Sequence, residues 1–284
     1  MTIIHAIIYG LIQGLTEFIP ISSTAHLTIA GHLLGDIKTD QEWTAFMAVI
    51  QLGTLLAVIL YFLTDIISII RGFITANLGI IKKRPITPDD KHNAWLGWLV
   101  IIGTLPVAVL GLALKRIIEG PFTKDLRVIT FGVMFVAILL VIAEIIGAQR
   151  RDLKTIKTSD ALTVGIAQVF ALIPGFSRSG STICGGLFSG LTREAAARFS
   201  FLLSIPAIAA SGLLELPKAL HSVNTGWTNL IVATIVSGVV GYLSIAFLLR
   251  YLQRHTTFLF VGYRLALGLF LIALLVTGRL AAHG

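Results

Sequence analysis

Gln13 and Glu17 stand four residues apart in an otherwise apolar run. On a helix that spacing puts the carboxamide and the carboxylate on one face. A carboxylate at membrane depth costs about 2.5–3.5 kcal/mol even on a lenient insertion scale, so it needs a partner, a cation or a use in chemistry. Just past Pro20 come Ser22, Ser23, Thr24 and His26. Ser23 and His26 are three apart, and a helical turn after the proline brings them close. A serine beside an imidazole is the minimum for an activated hydroxyl nucleophile. Serines after a proline are also ordinary helix N-caps, and that plainer reading stays open.

A second constellation follows Pro174 and Gly175. Ser177-Arg178-Ser179-Gly180-Ser181-Thr182 sets a permanent cation among four hydroxyls and a glycine, where a helix is expected to start. Guanidinium forks, hydroxyls and the free N–H groups of a helix N-terminus all suit a phosphate. The alternative is a structural ion pair between Arg178 and Glu17. It accounts for both charges but not for the hydroxyls around them.

The elements that must position these residues follow from composition. The chain has 284 residues, 56% hydrophobic and 13% charged, with a mean hydropathy of +0.91. Soluble domains carry about 25% charged residues, so the charge content points to a polytopic membrane protein. The net charge is +8, but the basic residues fall in short loops between apolar runs, as topology determinants do. No basic stripe sits on a soluble domain, which argues against nucleic acid. Cys184 is the only cysteine, leaving neither an intrachain disulfide nor a cysteine-based metal site. The first Lys or Arg is Lys38 and Glu17 interrupts the first apolar run, so that segment reads as part of the mature protein rather than a signal peptide.

A spanning helix needs about 20 mostly apolar residues, and six stretches meet this: 43–71, 93–117, 126–147, 195–217, 227–250 and 256–279. Two more, 3–35 and 160–190, are interrupted near their middles by Pro20 and Pro174. Irregular backbone at membrane depth survives only where protein shields it or it lines a wet cavity. Each is therefore expected to be a re-entrant helical hairpin, with a kinked through-span as the rival.

The 71–92 and 148–158 connections and the turn carrying Arg250 and Arg254 are basic, whereas 36–42 and 218–226 hold only Lys38 and Lys218. Placing the basic loops in the cytoplasm makes six spans alternate if both hairpins return to the side they entered, with both termini outside. Lys115, Arg116, Lys124 and Arg127, offset by Glu119 and Asp125, dissent mildly.

The hairpins then enter from opposite sides, as in an inverted repeat. Gly10-Leu11-Ile12-Gln13 is echoed by Gly165-Ile166-Ala167-Gln168, Phe18-Ile19-Pro20 by Leu172-Ile173-Pro174, and Phe46 and Gln51 loosely by Phe199 and Ser204. The offset stays near about 154 positions, as duplication requires. The expected architecture is an all-α integral membrane domain over 1–284, with repeats at 1–147 and 160–284 joined by a cytoplasmic connection at 148–159. Glu144, Glu215 and Arg198 sit near span ends and are expected to snorkel to the interface. Arg264, deep in the last span, reads as a partner to the site rather than a member. Trp95, Trp98 and Trp227 read as interfacial anchors.

At these residues the chain resembles the undecaprenyl-pyrophosphate phosphatase family, the BacA/UppP type associated with bacitracin resistance. Gln13-Gly14-Leu15-Thr16-Glu17 is similar to the family's acidic motif, and Pro174-Gly175-Phe176-Ser177-Arg178-Ser179-Gly180-Ser181-Thr182 to its Pro-Gly-x-Ser-Arg-Ser-x-x-Thr motif. The Pro20–His26 segment matches as well. The resemblance implies hydrolysis of undecaprenyl pyrophosphate to the monophosphate carrier and phosphate, with a divalent cation, Mg2+ or Ca2+. It further implies Ser23 as nucleophile, His26 in proton transfer, Glu17 as a catalytic and metal-binding carboxylate with Gln13, and Arg178, Ser177, Ser179 and Thr182 as holders of the pyrophosphate. The chain departs from the pattern at the neutral Gln13 and at Ala25, where glycine is commoner. Glu17 would then anchor the ion with oxygens from water and substrate. The implied setting is a bacterial inner membrane with an outward-facing site, a polyprenyl pyrophosphate lipid as partner, and a homodimer among the possible assemblies. Broken helices in an inverted repeat are also the architecture of secondary transporters, so an anion or lipid-phosphate carrier is the competing class.

Overall fold

The computed structural model describes residues 1–37, 40–82, 85–118, 120, 125–221 and 226–277. Lys38, Lys83, Arg84, Glu119 and Lys124, which entered the loop-charge argument, lie outside the described residues. In chain order the α-helices are α1 (Ile3–Phe18), α2 (Ser23–Leu34), α3 (Asp40–Tyr61), α4 (Leu63–Lys82), α5 (Pro88–Ala113) and the single turn α6 (Lys115–Ile118). They continue with α7 (Leu126–Ile146), α8 (Thr158–Phe170), α9 (Arg178–Phe188), α10 (Arg193–Leu220), α11 (Trp227–Leu252) and α12 (Phe258–Val276). Among the described residues the fold is all-α, and six helices (α3, α5, α7, α10, α11 and α12) are long and apolar enough to cross a membrane.

Local chemistry sets the helix starts. Thr87 accepts from the Asp90 N–H ahead of Pro88, and Asp89 and Asp90 complement the positive end of the α5 dipole. Thr192 caps α10 in the same way through the Ala195 N–H. The expected span at 43–71 is divided: α3 ends at Tyr61 and α4 runs from Leu63 to Lys82. Phe62, at the joint, lies under the Arg198 guanidinium at 5.3 Å. Much of the expected 71–92 loop is therefore helix, packed along α5 through Gly72, Phe73 and Gly97.

Each interrupted stretch folds into a helix pair whose two ends meet. In the first, the His5 ring nitrogen lies 2.6 Å and the Tyr9 hydroxyl 2.9 Å from the Asp36 carboxylate. In the second, the Arg150 and Arg151 N–H groups each donate to the Gly190 carbonyl at 3.1 Å. Arg151 also pairs with the buried Asp160 at 2.6 Å, and that hydrogen bond pushes the guanidinium pKa up.

The helix pairs are held by small residues. In a bilayer, helices approach closely through small side chains, because lipid leaves no hydrophobic drive between them. Gly10 and Gly14 bring α1 against Ala233, Val236 and Ser237 of α11, and Gly165 brings α8 against Gly103 of α5. The pairings α1 with α11 and α8 with α5 mirror each other, and α3 also packs on α10 and α11, α4 on α5 and α7 on α12. Charges expected to snorkel are paired instead. Glu144 accepts from Arg193 and from Thr257, Arg198 meets Asp65 at 2.9 Å, and Lys218 meets Glu215 at 3.1 Å.

Candidate active site

The two breaks, 19–22 and 171–177, end in the same device. Ser22 and Ser177 both hold positive φ (78° and 64°), and each caps the helix it starts, accepting from Ala25 N–H and Gly180 N–H respectively. A non-glycine residue at positive φ costs on the order of 1–3 kcal/mol and persists only where its surroundings over-determine it. Two such serines heading α2 and α9 aim two helix N-termini, the positive ends of their dipoles, at the breaks.

The determinant is Arg264, fully buried at 0% exposure. Its Nη1 donates to the Pro20 carbonyl at 3.1 Å and its Nη2 to Gly175 O at 2.9 Å and Gly132 O at 3.1 Å. Its Nε donates to Val133 O at 3.0 Å. One side chain of α12 thus satisfies carbonyls that the two breaks leave outside helical bonding, and ties both to the backbone of α7. Ser179 adds a second tie, its hydroxyl 3.2 Å from Glu17 O and 3.3 Å from Ile19 O.

These ties bring Glu17, 6% exposed, to the centre of a polar cluster. Its Oε2 accepts from Gln13 Nε2 at 2.9 Å and from the Ser23 hydroxyl at 2.8 Å. Its Oε1 accepts from Arg178 Nη1 at 3.2 Å, while Arg178 Nη2 reaches Gln51 Oε1 at 3.4 Å. Serine, carboxylate and guanidinium therefore form one hydrogen-bonded chain across residues 161 apart in sequence. The ion pair weighed above and the site are the same object, because Arg178 meets Glu17 and also lines a cavity of about 380 Å³ between α3, α5, α8 and α10.

The expected Ser23–His26 contact is not made. His26 Nδ1 lies 2.7 Å from the Ser22 carbonyl, which can only accept, so Nδ1 carries the proton. In the neutral ring Nε2 then accepts from the Tyr263 hydroxyl, 2.7 Å away, with the two rings stacked. The base within reach of Ser23 is Glu17. The hydroxyls of the second break are also engaged. Thr182, fully buried, donates to Arg178 O at 2.7 Å and meets Ser200. Ser177 caps α9 and Ser179 bridges the breaks, so Arg178 is the residue of this segment that lines the cavity.

Among the described residues no group of three or more His, Cys, Asp or Glu is gathered to hold a metal. Gln13 turns its amide N–H to Glu17, which leaves its Oε1 buried with no donor. One carboxylate and one orphaned amide oxygen suit a hard cation that takes its remaining ligands from water and substrate oxygens.

The sequence offers no site role for two residues that act here, Gln51 and Tyr263, whereas Arg264 is the partner expected of it. Gln51 receives Arg178, Tyr263 holds His26, and Arg264 joins the breaks. Arg264 alone carried a signal, a permanent charge inside an apolar span.

A family model described as "Bacitracin resistance protein BacA" matches residues 6–270. The chain is 51% identical over 271 residues to the undecaprenyl-diphosphatase of Syntrophobacter fumaroxidans, covering 94% of this chain and 95% of the relative. It is 47% identical over 292 residues to the undecaprenyl-diphosphatase of Chloroherpeton thalassium, covering 99% and 100%. For that of Chlorobaculum tepidum the identity is 46% over 290 residues, covering 99% of each. With both motifs on one Glu17-centred cluster and the match spanning nearly the whole sequence, this chain belongs to the bacitracin resistance protein BacA family.

Proposed function

We propose that this chain hydrolyses undecaprenyl diphosphate to undecaprenyl phosphate and inorganic phosphate, returning the lipid carrier to cell-wall synthesis and conferring bacitracin resistance. The observation that carries the reading is the Ser23–Glu17–Arg178 chain, which sets a nucleophile, its base and a phosphate-binding cation within hydrogen-bond contact. Relatives covering almost the full length and named undecaprenyl-diphosphatase support it.

The Ser23 hydroxyl attacks the terminal phosphorus in line and passes its proton to Glu17, already 2.8 Å away. The phosphoanhydride bond breaks, and undecaprenyl phosphate leaves with the bridging oxygen. Arg178 turns from Glu17 to the phosphoryl oxygens and neutralises charge as it develops. Water then attacks the phosphoserine, Glu17 returns its proton to the Ser23 oxygen as the P–O bond breaks, and both hydrogens of the water leave with the inorganic phosphate. A divalent cation, Mg2+ or Ca2+, held by Glu17 and Gln13 Oε1, would supply further charge neutralisation when bound. His26 and Tyr263 hold the first turn of α2, which carries Ser23.

The inverted repeat and the re-entrant hairpins belong to the same proposal. Support comes from the mirrored pairings, the paired positive-φ serines and the closed ends of each hairpin. The cavity runs from Arg178 to Lys115 and Glu215, near the ends of α5 and α10. That end lies opposite the basic 148–157 connection, which favours a site reached from the outer side of a bacterial plasma membrane.

The test is phosphate release from polyprenyl diphosphate by purified protein in detergent, without a gradient. Gradient-dependent uptake without hydrolysis would overturn the reading in favour of a carrier. A phosphoserine trapped at Ser23 supports the serine route, and a fully active Ser23→Ala sinks it in favour of direct attack by water.

A further inference from the structure

Gln168 stands on α8 where Gln13 stands on α1, each three residues after a glycine that packs tightly on a partner helix. The two carboxamides meet different fates. Gln13 has Glu17 four residues on, one turn along the same helix face, and donates to it. Four residues after Gln168 comes Leu172, which offers no polar group. Gln168 is 0% exposed, and both its Nε2 and its Oε1 lack any hydrogen-bond partner. Native structures rarely leave a buried carboxamide unsatisfied at both ends, and one that persists asks for a ligand or water.

The place that asks is specific. Gln168 lines the same cavity of about 380 Å³ as Arg178, and Ala171, Leu172, Pro206 and Ala207 are among its apolar lining residues. A mostly apolar pocket with a few convergent polar groups is the usual form of a small-ligand site. A carboxamide in the same cavity as an arginine suits a phosphoryl group, since its N–H donates to an anionic oxygen and its C=O accepts from a protonated one.

We propose that Gln168 is a substrate-contacting, specificity-determining residue whose carboxamide hydrogen-bonds the diphosphate of the polyprenyl substrate beside Arg178. The inference rests on the phosphatase reading above. It deepens that reading by extending the phosphate site from Arg178 along the cavity wall to α8. Released inorganic phosphate offers the same chemistry as the substrate's diphosphate, and the experiment separates the two.

Full-length protein in detergent is compared with Gln168→Met, which keeps the volume and removes both polar atoms, and with Gln168→Glu. The measurements are kcat and KM on polyprenyl diphosphate, inhibition by inorganic phosphate, and the thermal unfolding midpoint. Gln168→Met is expected to lower kcat/KM by about tenfold to a hundredfold, mainly through KM, as for one hydrogen bond to a charged group made in ground and transition states alike. Its unfolding midpoint stays level or rises, because two orphaned polar atoms have been removed. Gln168→Glu loses more, since it sets a carboxylate against the phosphate.

Unchanged kcat/KM in both variants overturns the proposal. So does a fall in midpoint that tracks the activity with KM unaltered, which marks a structural carboxamide. Weakened phosphate inhibition with an unaltered substrate KM also overturns it, assigning the group to the product. Failure of the phosphatase reading looks different, as a parent protein that releases no phosphate at all.

Discussion

Glu17 accepts from three side chains at once, Gln13, Ser23 and Arg178, and replacing it touches all of them. Glu17→Gln keeps the shape but removes the proton acceptor, so phosphate release should fall by about 10²–10⁴-fold, measured on protein that still elutes as a folded species. Arg264→Met should act differently. It strands the break carbonyls of Pro20 and Gly175 in a dry interior and removes the ties to Gly132 and Val133 on α7. At about 1–3 kcal/mol per buried unsatisfied group, the expected result is a loss of several kcal/mol, read as a large fall in unfolding midpoint. A midpoint equal to the parent's would remove Arg264 from its place at the joint. The residue types of the site were legible because each is costly in an apolar run. The partner of Ser23 was not. Spacing puts His26 on the right turn, but ring orientation depends on Ser22 O and on Tyr263, which is 237 residues away from His26 in sequence.

At the scale of elements, the breaks were readable because proline and glycine end helices by removing donors and loosening the backbone. The division of α3 from α4 carries no such mark, since Tyr61, Phe62 and Leu63 are ordinary in a span. Beside it Arg198 of α10 pairs with Asp65 of α4. Gly175 is the sharpest test of the second break. It holds φ 87° with its Cα against the Ile129 carbonyl, leaving no room for a methyl group. Gly175→Ala should destabilise by about 2 kcal/mol or more, from positive φ and collision together, and activity should fall with it as Arg264 loses its acceptor. Ser177→Ala, which removes the α9 cap and a hydroxyl contact with Ser179, should cost about 1 kcal/mol. Thermal unfolding of both variants in one detergent checks the ranking.

At the scale of the molecule, the six spans were legible from length and hydropathy alone, as the bilayer's thickness requires. Which helices would cross was less so, because small-residue contacts such as Gly165 on Gly103 leave no periodic signal. If both hairpins return to the side they enter, cysteines at Asp152 and Glu194 must share one face of the membrane. In a Cys184→Ala background, both should react with an impermeant maleimide only after the inner leaflet is opened, whereas Lys115→Cys should react in intact cells. Opposite labelling of Asp152→Cys and Glu194→Cys would mean that α8 and α9 form a through-span. A Gly165→Leu change should separate α8 from α5 and lower stability, while the same change at the exposed Gly262, which has open space around it, should not.

The distance in sequence between Glu17 and Arg178 has a consequence for biogenesis. A growing chain must carry a carboxylate into the bilayer and hold it there while 161 further residues are made. Until α9 arrives, Glu17 has only Gln13 and Ser23 to stabilise its charge, so an N-terminal half expressed alone is expected to be less stable than the full chain. Docking of the second half supplies the cation, and with it the completed site. Completion of the site and neutralisation of its buried carboxylate thus begin at one event, the meeting of two charges encoded half a chain apart.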